Sequence, residues 1–282
     1  MRLARLGEAG HEIPVLIDGD RYFDLRSVVA DLTGDRLGRE SLAAIASAKD
    51  AGSLPELADA TALRIGPPIA RPGAILCIGM NYAAHAAESG SAPPEIPILF
   101  LKTTNTVGGP NDPVDIPRRS VKTDWEVELG VVIGEKALYL DSPADSARHI
   151  AGYITANDLS ERDFQITESG GQWSKGKSAP GFSPLGPWLV TPDEVDAGKL
   201  RLRSWVNGEP RQDSTTADLI FGIDYLIWHL SQYVALDPGD VVLTGTPEGV
   251  ALSGRFPYLV PGDVVEIEIE GLGRQRQVFG QA

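Results

Sequence analysis

Glu126 and Glu128, two residues apart in Asp124-Trp125-Glu126-Val127-Glu128-Leu129-Gly130-Val131-Val132-Ile133, form the pair whose spacing most directly suggests chemistry. On a strand, residues two apart share a face. Trp125, Val127, Leu129, Val131 and Ile133 would then make an apolar side, with both carboxylates projecting from the other. Carboxylates that close repel unless a proton or cation intervenes, so the pair offers half of a site for a hard divalent metal. The same alternation recurs in Val265-Glu266-Ile267-Glu268-Ile269-Glu270, where it fits a solvated strand face. Spacing alone therefore leaves both readings open for Glu126 and Glu128. A second acidic run, Asn157-Asp158-Leu159-Ser160-Glu161-Arg162-Asp163, follows a strand expected over 153–156. Asp158 either reaches a site on a neighbouring strand or caps a helix running through Arg162 and Gln165, a task Ser160 can also perform.

Other candidates are few. The chain has four histidines, His11, His85, His149 and His229, which narrows the choice of a catalytic base. His85 and Glu88 stand at i,i+3 and share a face if they are helical; the pair is then either an oriented base or an ordinary surface ion pair. His229 falls beside an apolar stripe and reads as a packed or surface residue. Lys177 lies in the Gly/Ser-rich loop Gly170-Gly171-Gln172-Trp173-Ser174-Lys175-Gly176-Lys177-Ser178, which lacks the glycine spacing of a phosphate-binding P-loop. The single cysteine, Cys77, sits in an apolar run and reads as a small buried hydrophobe. One cysteine also excludes cysteine-rich zinc sites.

The elements that must hold these residues follow from pattern. Residues 1–66 form a small leading α+β unit, with strands over 13–17 and 21–25 and helices near 27–32 and 41–48. Pro55, Pro67, Pro68 and Pro72 mark a connector up to Gly73. Beyond it, strands are expected over 74–78, 98–102, 125–133, 153–156, 188–190, 200–206, 241–244 and 264–270. Asn207-Gly208 signals a tight hairpin. A helix after Thr215-Thr216 would carry Leu219, Ile220, Ile223, Leu226, Ile227 and Leu230 as a core-facing stripe. Many short strands and few helices indicate an α+β architecture built on a rolled or sandwiched sheet, with the main unit spanning 74–282.

At 282 residues, 42% hydrophobic and 23% charged, the chain has ordinary globular composition. A formal net charge of −14 opposes binding to nucleic acid or anionic lipid. No apolar run approaches the roughly 20 residues of a membrane span, and Met1 to Gly7 lacks a signal-peptide core, so a cytoplasmic protein is expected.

Taken in order, Gly79-Met80-Asn81-Tyr82-Ala83-Ala84-His85-Ala86-Ala87-Glu88, Phe100-Leu101-Lys102, the segment around Glu126 and Glu128, the segment around Asp158, Trp173-Ser174-Lys175-Gly176-Lys177-Ser178 and Leu243-Thr244-Gly245-Thr246-Pro247-Glu248-Gly249-Val250 resemble the motifs of the fumarylacetoacetate hydrolase family. The resemblance covers about 74–279. The leading unit looks like that of the bacterial branch, which includes acylpyruvate and 2,4-diketo-3-deoxy sugar acid hydrolases. It implies a mixed β-sandwich roll, a homodimer, and an Mg²⁺ or Mn²⁺ site made by Glu126, Glu128 and Asp158. An all-oxygen set of that kind suits those ions better than zinc.

The resemblance further implies catalytic roles for His85, Glu88 and Lys177. Glu88 would orient His85 to take a proton from water, and Lys177 would face the reacting oxygen while Lys175 faces solvent. Arg162, Gln165 and Thr246 are candidates for gripping substrate. Residues 80–94 are expected to order over the site as a lid. Sugar-acid hydrolases of the family commonly follow the lysine motif with an aromatic and an acidic residue. Here Ala179-Pro180-Gly181-Phe182 follows, a departure that bears on the distal pocket. The activity implied is hydrolysis of a C–C bond in a small 2,4-dioxo acid. Oxaloacetate decarboxylation or 2-oxo acid tautomerisation at the same metal is the alternative, and a non-catalytic β-rich binding module is the rival from another class.

Overall fold

The computed structural model describes residues 1–282. The chain runs β1 (Arg2–Leu6), β2 (Ile13–Asp18), β3 (Arg21–Asp24), α1 (Arg39–Asp50), β4 (Ile75–Gly79), α2 (Ala83–Glu88), β5 (Ile98–Lys102), β6 (Val114–Ile116), β7 (Val127–Ile133) and β8 (Ile150–Asn157). It continues through α3 (Ser174–Lys177), β9 (Leu189–Val190), β10 (Arg201–Val206), β11 (Glu209–Thr215), α4 (Ile223–Ser231), β12 (Val241–Leu243), β13 (Val264–Ile269) and β14 (Gly273–Gln281). Shorter bridges and 3₁₀ turns connect these elements. No helix is long and apolar enough to cross a membrane.

Two mixed sheets face each other. One has nine strands in the order β3-β2-β1-β9-β8-β7-β12-β4-β5, the other five in the order β11-β10-β13-β14-β6. Pairing is antiparallel except for β12 with β4 and β6 with β14. Alternation along β7 explains the sandwich. Val127, Leu129, Val131 and Ile133 point between the sheets and join a core with Leu202, Val206, Val265, Ile267 and Ile269 from the smaller sheet. Val132 points the other way, into a second core shared with Leu3, Leu16, Leu25 and Ile45 of the leading segment. The first three strands thus continue the large sheet through β1 against β9. The fold is the α+β sandwich that the strand pattern predicts.

Two local expectations need correction. Residues 27–32 form turns rather than a helix. Val28 and Val29 N–H both bond the Leu25 carbonyl, and Asp31 is drawn off to accept two hydrogen bonds from Arg5 at 2.7 and 2.9 Å. The helix expected after Thr215-Thr216 begins only at Ile223. Asn81 is the cause: its backbone carbonyl takes Ile220 N–H, and its side chain brackets Phe221 by accepting its N–H at 2.8 Å and donating to its carbonyl at 3.1 Å. Those bonds hold 219–222 extended. Leu226, Ile227 and Leu230 still face the core as the stripe requires.

The inner face of β14 carries Gln275 and Gln277, both fully buried. Gln275 donates to the carbonyls of Thr155 and Gly186, while Gln277 accepts from Asn157 Nδ2 at 3.1 Å and donates to the Pro110 carbonyl at 2.5 Å. Asn157 in turn accepts the Glu126 N–H at 3.1 Å. The smaller sheet therefore reaches through the sandwich to fix the backbone that bears a candidate ligand. Gln277→Leu strands the Asn157 amide, while the Pro110 carbonyl keeps only the Arg276 N–H, and should cost about 1–3 kcal/mol in urea-denaturation stability. A change within error would show that this network is not what fixes the segment.

Candidate active site

β7 and β8 pair so that Glu128 lies opposite Ala156 and Val127 opposite Asn157. Just beyond the ladder, Asp158 N–H bonds the Glu126 carbonyl at 2.9 Å, which brings the two chain ends together. Each of Glu126, Glu128 and Asp158 places a carboxylate oxygen within 4.8 Å of the others. Their exposures are 4%, 2% and 0%, so neither glutamate stands on a solvated strand face. Glu266 and Glu268 do have that surrounding, partly exposed and paired with Arg274 and Arg203. Asp158 caps no helix; its carboxylate is engaged by two lysines.

Charge accounts for the cluster. Lys177 Nζ lies 2.6 Å from Glu126 and 2.9 Å from Asp158. Lys102 Nζ donates to the other Asp158 oxygen and to the carbonyls of Leu159 and Phe182. Arg162 donates to Asp124 through Nε at 2.8 Å and to Gln165 through Nη1 at 2.9 Å. Its Nη2 approaches Glu126 to 2.7 Å, but no acceptor is aligned with its N–H bonds. Glu128 has no cation partner and accepts only the Gly245 N–H, at 2.9 Å. Burial, then Asp158 and Glu126, push its carboxyl well above the usual range. Burial also acts upward on Glu126, but Lys177 and Arg162 outweigh it and hold that carboxyl at about 2. Lys177 is opposed by burial yet held firmly protonated by Asp158 and Glu126. Three cations thus face four carboxylates, counting Asp124, and the surplus charge sits at Glu128. A buried, all-oxygen cluster with one uncompensated carboxylate fits a hard divalent cation.

A cavity of about 350 Å³ opens onto this cluster. His85, Glu88, Glu126, Glu128, Arg162, Gln165, Lys177 and Thr246 all line it, so eight of the nine expected site residues share one space, with Asp158 just behind. His85, on α2, points Nδ1 at Glu88 Oε1 at 3.1 Å. Glu88 is anchored from the far side by Gly249 N–H at 3.0 and 3.1 Å. The i,i+3 pair is therefore a buried, three-part arrangement and not a surface ion pair. Thr246 donates its hydroxyl to the Val127 carbonyl at 2.9 Å and accepts from Gln212 at 2.8 Å. Ser89 and Ser91, just past α2, also line the cavity. The departure at Ala179-Pro180-Gly181-Phe182 turns inward: Phe182 is fully buried and its carbonyl accepts from Lys102.

His229 stacks on Tyr225 and meets Tyr233 at a tilt, away from the cavity, with burial lowering its pKa. Lys175 is exposed and donates to the Glu168 carbonyl. The residues missed from sequence are Lys102, Asp124, Asn157 and Gln212, which bind the site's charges and backbone without lining the cavity, and Trp173, which forms part of its wall. Lys102 was readable as an isolated lysine ending an apolar strand, a position that requires a buried anion.

Fold and site define a β-sandwich protein with a deep acidic, cation-suited pocket. Residues 74–279 match the family model described as fumarylacetoacetate (FAA) hydrolase, C-terminal, and the chain belongs to that family. A relative from Burkholderia multivorans, provisionally named a hydrolase, is 47% identical over 99% of this chain and 98% of its own length. A crystal structure of 5-carboxymethyl-2-hydroxymuconate delta-isomerase from Mycobacterium smegmatis is 33% identical, with a TM-score of 0.78 over 100% of this chain and 99% of that one. Maleylpyruvate hydrolase from Sphingobium sp. SYK-6, solved with manganese(II) and pyruvate, is 28% identical with a TM-score of 0.82 over the whole of both chains.

The raised Glu128 carboxyl makes a pH prediction. Without metal, the fold keeps a proton there that the unfolded chain releases near the ordinary value of 4.5. Folded-state uptake exceeds unfolded-state uptake above that point, so metal-free stability falls as pH rises through the elevated pKa. A divalent cation bound at Glu128 would replace the proton and should stabilise more as pH rises over the same window. Thermal unfolding with and without Mg²⁺, from roughly pH 5 to 9, measures both trends. Glu128→Gln should flatten them; an Mg²⁺ effect independent of pH would contradict the assignment.

Proposed function

We propose that this chain is an Mg²⁺- or Mn²⁺-dependent hydrolase that cleaves the C–C bond of a small 2,4-dioxo acid to pyruvate and a carboxylic acid. The observation that carries the reading is the His85–Glu88 pair, buried in the same cavity as the Glu126, Glu128 and Asp158 carboxylates. Glu126, Glu128 and Asp158 would hold a divalent cation, which would supply Lewis acidity toward the substrate's oxygens. The chain's own residues do the rest. Glu88 accepts a hydrogen bond from His85 Nδ1–H, which leaves Nε2 free to take a proton from water. That water attacks the distal carbonyl, the bond between the methylene and that carbonyl breaks, and the electron pair passes to the pyruvyl fragment as an enolate. The imidazolium then returns its proton to complete pyruvate. Lys177, fixed between Glu126 and Asp158, offsets negative charge building on the enolate oxygen. The manganese and pyruvate of the similar maleylpyruvate hydrolase are the cation and product this reading expects.

A second reading keeps the site and omits the water: tautomerisation, or decarboxylation of an oxaloacetate-like acid. Similarity to a delta-isomerase favours keeping it in view. Acetylpyruvate hydrolysis should require Mg²⁺ or Mn²⁺ and be abolished by EDTA. His85→Ala should lower kcat by about 10²–10⁴-fold. Hydrolysis that survives the substitution, or a wild type that only tautomerises or decarboxylates, would replace the first reading with the second.

A further inference from the structure

Resting on the hydrolase reading, we propose that the acyl group beyond the substrate's second carbonyl is uncharged and largely apolar, so that the preferred substrates are acylpyruvates with aliphatic or aromatic tails rather than dicarboxylic acids. The cavity wall beyond the charged cluster is built from Ile78, Met80, Phe100, Ile166, Trp173 and Leu252. Trp173 closes one side: its ring meets Phe100 edge-on at 5.5 Å and lies 2.3 Å from where a side chain on Gly79 would begin. Ile166, 53% exposed, stands at the rim.

No positive charge in the lining is free to receive a tail carboxylate. Lys177 is held by Glu126 and Asp158. Arg162 keeps one N–H without an aligned acceptor, but its Nη2 lies within 2.8 Å of both Asp124 and Glu126, so its charge is already matched. At the rim, Arg255 rests on the Phe256 ring at 5.3 Å, with its nearest carboxylate, Glu88, at 3.8 Å. Of the lining carboxylates, Glu88 alone lies outside the Glu126, Glu128 and Asp158 set that the cation would neutralise. A second substrate carboxylate would lose water against an apolar wall, with no unpaired cation among the lining residues to offset that cost.

The test compares kcat/KM for two acylpyruvates of equal tail length, one ending in a methyl group and one in a carboxylate, with Mn²⁺ present and acetylpyruvate as reference. The methyl-ended substrate should be favoured on the order of a hundredfold. Ile166→Arg, which places a cation at the rim, should narrow that ratio at least about tenfold. Equal or faster turnover of the carboxylate-ended substrate overturns the inference and directs attention to Arg255. Turnover of acetylpyruvate with neither longer tail accepted overturns it as well, as does a ratio unmoved by Ile166→Arg. If acetylpyruvate and both longer substrates are inert, the hydrolase reading itself fails.

Discussion

The site rests on compensation of buried negative charge. Asp124, Glu126, Glu128 and Asp158 are all withdrawn from water, and ions so placed persist only when matched by charge and hydrogen bonds. Lys102 and Lys177 share the two oxygens of Asp158, and Lys177 and Arg162 share those of Glu126. Every one of these contacts joins separate stretches of chain, so the cluster forms only when β5, β7, β8 and α3 are all in register. The same contacts that hold the carboxylates apart from solvent also fix their directions, which is what a metal-chelating arrangement demands of its surroundings.

The sandwich supplies that rigidity at the point where regular structure ends. Glu126 and Asp158 lie just outside the β7–β8 ladder, where backbone groups would lose their partners. Side chains provide them instead: Asn157 receives Glu126 N–H, and Gln212 receives Val127 N–H. Asn157 is braced by Gln277 from the opposite sheet, and Gln212 reaches on to Thr246 and the Pro247 carbonyl. Amides suit this task because each both donates and accepts, so one side chain can link a site backbone to a distant strand.

These same amides explain what was and was not legible in the sequence. The period-2 alternation of β7 marks its apolar face, and the ordered motifs point to Glu126, Glu128, Asp158, His85 and Lys177, which the fold gathers around one cavity. The choice between a metal half-site and a solvated face for Glu126 and Glu128 was not decidable from spacing, because β13 carries an identical alternation; burial separates the two. β14 escaped notice because Gln275 and Gln277 occupy inward positions that a hydrophobicity pattern scores as outward. The start of α4 was misplaced for a related reason, since the bonds that hold 219–222 extended come from Asn81, some 140 positions earlier. Local pattern reads periodic burial well and reads poorly any position governed by a polar partner far along the chain.

The position of α2 follows from the same logic and bears on how the cavity works. This helix is only six residues long and has no side-chain cap, so it draws little stability from its own hydrogen bonds. It is held through Ala86, buried in the protein, and through Glu88, whose two oxygens accept the Gly249 N–H. The adjoining Ser89-Gly90-Ser91 stretch is exposed, with Gly90 in the left-handed region at φ 72°. A short helix secured by one carboxylate can couple two events: the contact that orients His85 is also the contact that docks the helix onto the turn at Gly249. Weakening the Glu88–Gly249 contact would therefore loosen the cavity wall and misdirect the imidazole together, because a single side chain performs both tasks.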